Sequence, residues 1–166
     1  MKIPTNISKR EYVRLMFTLT YRHPMYIVFI VFGAILMTFG ILSFAGINMY
    51  SDSPALQVAM GSFFLLILPV RIYTTSVRQY KSNKRISETI EYEFYDNRMK
   101  TAGTSFSGEK ELNQVYKILE LNNWFLIYEN QAIANLIPKK NMSVDEIISL
   151  REFLRNVKCE GKVKLK

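Results

Sequence analysis

Acidic residues are almost missing from the first half of this chain. Residues 1–84 hold only Glu11 and Asp52, against nine Lys or Arg. Residues 85–166 hold twelve acids against thirteen bases, so the formal net charge of +8 arises almost wholly in the first half. A nucleic-acid-binding unit gathers its bases on a folded, polar surface. Here the second half is nearly neutral and the first half is apolar, which argues against nucleic acid as a partner. Cysteine is as scarce. The single Cys159 closes no internal disulfide, which excludes a disulfide-stapled scaffold and fits a reducing compartment. Histidine occurs once, as His23, so the second half has no imidazole for a nucleophile–base pair, and no metal-ligand spacing surrounds His23. Glycine is sparse, and "TAGTSFSGEK" lacks the spacing and the lysine–serine ending of a phosphate loop. No cofactor or metal motif is visible and no catalytic constellation stands out, so the chain reads as a non-enzyme.

Long apolar runs are what the first half does contain. Residues 25–47, "MYIVFIVFGAILMTFGILSFAGI", carry no charge, and residues 55–77 carry one, Arg71. About 20 helical residues cross the hydrocarbon core of a bilayer. Both runs reach that length, and residues 48–54 between them suit a tight connection. The reading is a transmembrane hairpin. A pair of buried helices in a soluble bundle is the competing reading, and a domain this small could hardly cover two helices that are apolar all round. The first run starts too late and runs too long for a signal peptide.

Lys2, Lys9, Arg10, Arg14 and Arg22 precede the first run, and Arg78, Lys81, Lys84 and Arg85 follow the second. The connecting loop holds only Asp52. The excess of positive charge beside both runs places both termini in the cytoplasm and the loop outside. Arg71 has two readings: a stem lying along apolar surface with its head at the interface, or an intramembrane functional charge. Neither run supplies an acidic partner, which favours the first. Pro69 is a candidate kink, and Gly33, Gly40 and Gly46 are candidates for close helix approach. Ahead of the runs, "SKREYVRLMFTLTYRHP" reads as a basic amphipathic helix capped by Ser8 and Glu11. Tyr12, Leu15, Met16 and Leu19 share one face, suited to the headgroup plane.

After Arg85 the period becomes strand-like. "TIEYEFY" alternates, Asp96-Asn97 is a hairpin turn, and residues 98–102 return. Residues 104–108, 114–121, 124–128 and 132–138 complete an antiparallel meander. Ser143 and Glu146 cap a final helix with Ile147, Leu150, Leu154 and Val157 on one face and Arg151, Arg155 and Lys158 toward its end. Trp124, Phe125, Tyr116, Phe94, Ile118 and Ile133 are the expected core. Glu88, Glu91, Glu93, Glu109, Glu111 and Glu120 read as acids of a solvated sheet face.

These features yield seven segments: a cytoplasmic amphipathic helix (1–24), a first transmembrane helix (25–47), an outer loop (48–54), a second transmembrane helix (55–77), a basic juxtamembrane linker (78–85), a cytoplasmic β domain with its C-terminal helix (86–158) and a frayed basic tail (159–166). The fold class is an α+β membrane protein with a small meander or partly open barrel covered by a helix.

The order of these parts carries a resemblance. Phe94 to Arg98, the strand ending near Ser107, Val115-Tyr116-Lys117-Ile118, the run 124–128, and Ile137-Pro138-Lys139-Lys140 before the capped helix resemble the YcxB-like family of bacterial membrane proteins. The resemblance takes in nearly the whole chain. It implies two spans and a soluble part similar to a pleckstrin-homology-like barrel, with no established catalytic activity. The usual family pattern has an aromatic near "GEKELNQVYKI", where this chain has Glu111, Leu112 and Asn113.

Two functional readings follow. One is a non-catalytic binding or regulatory module anchored at the cytoplasmic face of a bacterial inner membrane, contacting anionic lipid headgroups or a partner protein. Its candidate contacts are Lys139, Lys140, Arg10, Arg14, Arg78, Lys81, Lys84 and Arg85. The other is a structural or assembly subunit that joins a larger complex, or copies of itself, through its hairpin. Lys139 and Lys140 have a plainer reading as the solvated corner between the last strand and the helix.

Overall fold

The computed structural model describes residues 1–47, 53–157, 159 and 161–166. The chain divides into two compact units, one of residues 8–83 and one that joins residues 1–7 to residues 84–166.

In the first unit, helix α1 spans Lys9–Tyr21 and opens on the expected box. Glu11 N–H donates to the Ser8 hydroxyl, and the Glu11 carboxylate accepts from the Ser8 N–H at 2.8 Å. Helix α2 spans Pro24–Phe44 and α3 spans Pro54–Ser82; both begin with proline, whose missing N–H costs nothing at a first turn. Both are long and apolar enough to cross a bilayer, and little of either is buried within the protein. These two helices place the chain in a membrane. Helix α3 runs through Pro69 and beyond the expected span to Ser82. Arg78 and Lys81, expected in a linker, are therefore helical. Residues 48–52 of the expected outer loop, Asp52 included, lie outside the described residues.

Glycine brings α2 and α3 together. A Cβ on Gly61 would sit 2.7 Å from the Met37 amide nitrogen and 2.8 Å from the Gly33 oxygen. A Cβ on Gly40 would sit 2.7 Å from Val58 Cγ2. The Phe64 ring fills the neighbouring space, stacked on Phe29 with centroids 5.8 Å apart. Gly46 does not take part, contrary to expectation. It has φ +72° with open space around it and ends α2. Its N–H donates to the Ser43 oxygen and the Ile47 N–H to the Leu42 oxygen, the paired bonds of a left-handed helix stop.

The apolar face of α1 is not a bare membrane-lying surface either. Tyr12, Val13 and Leu15 are buried, and the Tyr12 hydroxyl donates to Gln79 Oε1 of α3 at 3.1 Å. The Tyr12 and Tyr80 rings lie 5.9 Å apart.

The second unit starts with a strand that the sequence pattern did not reveal. β1 (Lys2–Thr5) pairs antiparallel with β2 (Ile90–Tyr95), Ile3 facing Tyr92 and Thr5 facing Ile90. The residues expected as one amphipathic helix, 1–24, thus begin as part of the β unit, and the whole α1–α3 segment is inserted between β1 and β2. A short helix α4 (Lys84–Ser87) leads into β2. β2 turns into β3 (Arg98–Ala102) through Asp96 and Asn97, both at positive φ, which matches the twist of a tight hairpin. β4 (Ser107–Glu111) completes a four-stranded antiparallel sheet in the order β1-β2-β3-β4.

A 3-10 turn at Leu112–Gln114 leads to β5 (Lys117–Glu120), β6 (Trp124–Tyr128) and β7 (Ala134–Pro138). β7 is an edge strand, where Pro138 removes no ladder bond that the sheet needs. The opposite edge is β8 (Lys162–Lys164), which lies parallel to β5 within the tail expected to fray. Helix α5 (Val144–Asn156) carries the expected capping box of Ser143 and Glu146 and inserts Leu150 and Leu154, both fully buried. Lys158 lies outside the described residues.

The core is continuous across both sheets and α5. It includes Ile3, Tyr92, Phe94, Met99, Leu112, Ile118, Phe125, Ile127, Ile137, Leu150 and Leu154. Leu112 is fully buried. Phe94 and Phe153 meet edge to face at 5.8 Å. Trp124 is buried, as expected. Tyr116 and Ile133 are not core: they are 49% and 56% exposed. Tyr116 precedes β5, and Ile133 sits in the turn ahead of β7, so neither falls on an inward strand position.

Candidate functional site

Among the described residues, Glu120 is the one carboxylate whose side chain has no exposed surface. It stands on β5 in phase with Ile118, so the pleat that buries Ile118 buries Glu120 too. Three elements answer its charge. Lys139 Nζ, from the 3-10 turn Lys139–Asn141, donates to Oε1 at 2.5 Å. Arg151, one helical turn beyond Ile147 on α5, donates from Nε to Oε2 at 3.0 Å and from Nη2 to Oε1 at 2.7 Å. The Lys166 N–H donates to Oε2 at 2.9 Å. Burial alone would push the Glu120 carboxyl up. The bonds from Arg151, Lys139 and the Lys166 amide outweigh it and hold the group down at about 2. The carboxylate is therefore ionised at neutral pH and fastens β5, the β7–α5 corner, α5 and the tail at one point. The placing of Glu120 among surface acids is corrected: a glutamate in phase with a core isoleucine was the available signal.

Lys139 changes role for the same reason. Its side chain is 10% exposed, and its ammonium lies 4.5 Å from the Phe125 ring centroid as well as on Glu120. Its charge is engaged inside the domain by Glu120 and Phe125. Lys140, next to it, is exposed.

The remaining candidates fall into two groups. Arg10 and Arg14 are exposed on α1, and Arg78 and Lys81 are exposed on α3. The Tyr12 contacts with Gln79 and Tyr80 set these two segments side by side. A shallow open groove along α3 runs past Tyr73, Thr74, Val77, Arg78, Lys81 and Ser82. Lys84 and Arg85 are exposed on α4 in the other unit, with the Arg85 guanidinium 4.7 Å from the Phe106 ring centroid. The described part of the α1–α3 unit holds one carboxylate, Glu11, and that group caps its own helix.

Several surface acids of the β unit sit beside bases of the same unit. Arg98 reaches Glu109 at 3.0 Å and Glu111 at 3.4 Å, Lys110 reaches Glu129 at 3.3 Å, and Lys2 lies between Glu91 and Glu93. Among the described residues no group of three or more His, Cys, Asp or Glu is placed to hold a metal ion. Tyr92 is a further buried titratable group. Burial pushes its phenol up, and the Leu136 backbone offers it a hydrogen bond across the two sheets.

No curated protein and no solved structure matches this chain. Residues 94–154, from within β2 to within α5, match the family described as YcxB-like protein; β1, the two membrane helices and the tail strand lie outside that match.

Proposed function

We propose that this chain is a non-catalytic binding or regulatory module, anchored by its hairpin at the cytoplasmic face of a bacterial inner membrane, whose basic collar engages anionic lipid headgroups. The observation that carries the reading is the cluster of Arg10, Arg14, Arg78 and Lys81. These are exposed cations beside the ends of two bilayer-length helices, in a unit whose one described carboxylate is used as a cap. Basic side chains at that depth meet the negative surface potential of the cytoplasmic leaflet. Lys84, Arg85 and Lys140 add to the same chemistry, and Lys139 drops out of it.

The β1–β2 pairing supports the topology. The segments before α2 and after α3 must share one side of the membrane to pair, which two crossings satisfy. The excess of bases on that side favours the cytoplasm. Two four-stranded sheets followed by a covering helix support a pleckstrin-homology-like barrel for the β unit, and a barrel of that kind suits recognition of a partner rather than catalysis.

The experiment uses the full chain in nanodiscs of mixed phosphatidylcholine and phosphatidylglycerol. Native mass spectrometry reads which lipids stay bound on gentle release. The expected result is enrichment of phosphatidylglycerol that falls with added salt and with Arg10→Gln, Arg14→Gln, Arg78→Gln and Lys81→Gln combined. Equal retention of both lipids by the unaltered protein sinks the headgroup reading and favours an assembly role for the hairpin.

A further inference from the structure

One face at the C-terminal end of α3 is left open by the neighbouring helix. Gln79 and Tyr80 turn toward Tyr12 of α1. Helical spacing turns Thr74, Arg78 and Lys81 to the far side, where with Tyr73, Val77 and Ser82 they line an open groove of about 490 Å³. Val77 is half-buried and the other five are exposed. The groove is apolar at Tyr73 and Val77 and basic at Arg78 and Lys81. The one described carboxylate of the unit, Glu11, caps α1 and lies outside it. The Thr74 and Ser82 hydroxyls donate back to the Val70 and Gln79 carbonyls, so the two cations set the charge of the groove. The change from apolar to basic falls at a definite depth. About 20 helical residues cross the hydrocarbon core, and counted from Pro54 they end at Tyr73. Tyrosine favours that boundary. Arg78 stands about 8 Å further along the axis and Lys81 about 12 Å. Helical side chains lean toward the N-terminal end, here back toward the bilayer, which brings both cations to the phosphate layer. Three positions apart, their Cβ atoms are about 5–6 Å from each other, close enough for both to hold one phosphate.

Building on the headgroup reading above, we propose that this face of α3 seats one anionic phospholipid of the adjoining leaflet, its phosphate held by Arg78 and Lys81 and the start of its acyl chains lying on Tyr73 and Val77. The two chemistries of the groove stand in the order in which a phospholipid presents them to a helix leaving the bilayer, hydrocarbon first and phosphate next. The guanidinium offers phosphate oxygens a planar fork of donors, and the ammonium adds a compact charge. A zwitterionic lipid brings the same phosphate with a cation attached, and the groove has no carboxylate to receive that cation. Anionic lipid is therefore preferred. Arg10 and Arg14 lie on α1, outside the groove, and are not part of the seat.

The test uses the full chain in nanodiscs of mixed phosphatidylcholine and phosphatidylglycerol, with native mass spectrometry following the lipids as rising collision energy strips them away. The expected result is one phosphatidylglycerol per chain that leaves after all other lipid. Tyr73→Ala with Val77→Gln keeps every charge and should lose that last lipid, while the broader enrichment of phosphatidylglycerol stays. Arg78→Gln with Lys81→Gln should lose it too, and Arg10→Gln with Arg14→Gln should keep it. Enrichment without such a last lipid, its survival in Tyr73→Ala with Val77→Gln, or its equal loss with either pair of cations overturns the seat and leaves a diffuse basic collar. A second protein chain released in place of lipid, and lost with Tyr73→Ala and Val77→Gln, gives the groove to a partner helix and also overturns the seat. Equal retention of both lipids by the unaltered protein overturns the headgroup reading itself, and the seat with it.

Discussion

The two units of this chain treat charge in opposite ways. The β unit sets several of its acids beside its own bases, on the sheet surface through Arg98, Lys110 and Lys2, and in the interior through Glu120. The described residues of the α1–α3 unit hold several bases and one carboxylate, Glu11, and the unit turns its apolar faces outward. Surface pairs of this type contribute about 0–1 kcal/mol each, so the stability of the β unit rests on its core and on the buried cluster. The stability of the helical unit rests on glycine-permitted packing in an apolar solvent, where burial of hydrocarbon gives no drive. A substitution should therefore register in one unit and not the other. Trp124, the sole tryptophan, lies in the β unit and reports its folding; proteolysis of the membrane-embedded form and detergent extraction report the hairpin.

The largest effect is expected at Glu120. Glu120→Gln leaves Lys139 and Arg151 facing a neutral group in a closed site, and breaking a buried ion pair costs about 3–5 kcal/mol. Trp124 fluorescence should show a strongly destabilised β unit while the hairpin stays inserted. The pH dependence has a definite sign. The folded-state pKa of Glu120 is depressed to about 2 from 4.5, so its contribution is fully present above about pH 5 and is lost as pH falls from there toward 2. The difference between the unaltered protein and Glu120→Gln should narrow over that interval. An unchanged gap at pH 3 would show that packing, not charge, makes the difference.

Next comes Ile3. It is 2% exposed on a strand about ninety residues from its partner. Ile3→Ala should cost about 2–4 kcal/mol in the β unit, although residue 3 precedes both membrane helices. A fragment beginning at residue 84 should show the same defect. Tethering residues 1–7 to its start by a flexible linker should repair it. A fragment that is fully stable without β1 would break the assignment of these residues to the β unit.

What was legible in the sequence divides along physical lines. The two capping boxes, the Asp96-Asn97 turn and the apolar runs depend on residues within a few positions of one another, so local pattern was enough to find them. β1 was not legible because "KIPT" is short, contains proline, and gains strand structure only from β2. β8 was missed for the same reason, since its partner is β5 and its side chains carry no alternation of burial. The Lys139–Glu120 ion pair was not legible because sequence order does not show which side of a turn faces a buried carboxylate. Glu120 itself could have been found by giving as much weight to its phase with Ile118 as to its polarity.

In the hairpin, Gly61→Leu should force α2 and α3 apart, since a Cβ alone already meets Met37 and the Gly33 oxygen. Overpacking of this kind costs about 1–3 kcal/mol. Faster proteolysis and easier extraction should follow, with Trp124 fluorescence and its unfolding midpoint unchanged. A matching loss of β-unit stability would show that the two units fold as one.

The smallest effect offers the sharpest comparison, because each unit carries the same device. Ser8 and Ser143 each accept an N–H from a glutamate three residues on, and each glutamate returns the bond. Loss of such a cap costs about 1 kcal/mol. Ser143→Ala should lower the Trp124 unfolding midpoint, because α5 covers the core that Phe125 and Leu150 share. Ser8→Ala should leave that midpoint alone and loosen α1 instead, read as faster amide exchange over residues 9–21. If Ser8→Ala moves the Trp124 midpoint as far as Ser143→Ala does, the start of α1 belongs to the β unit in energy though not in contacts. The division of the chain would then have to be redrawn after α1 rather than before it.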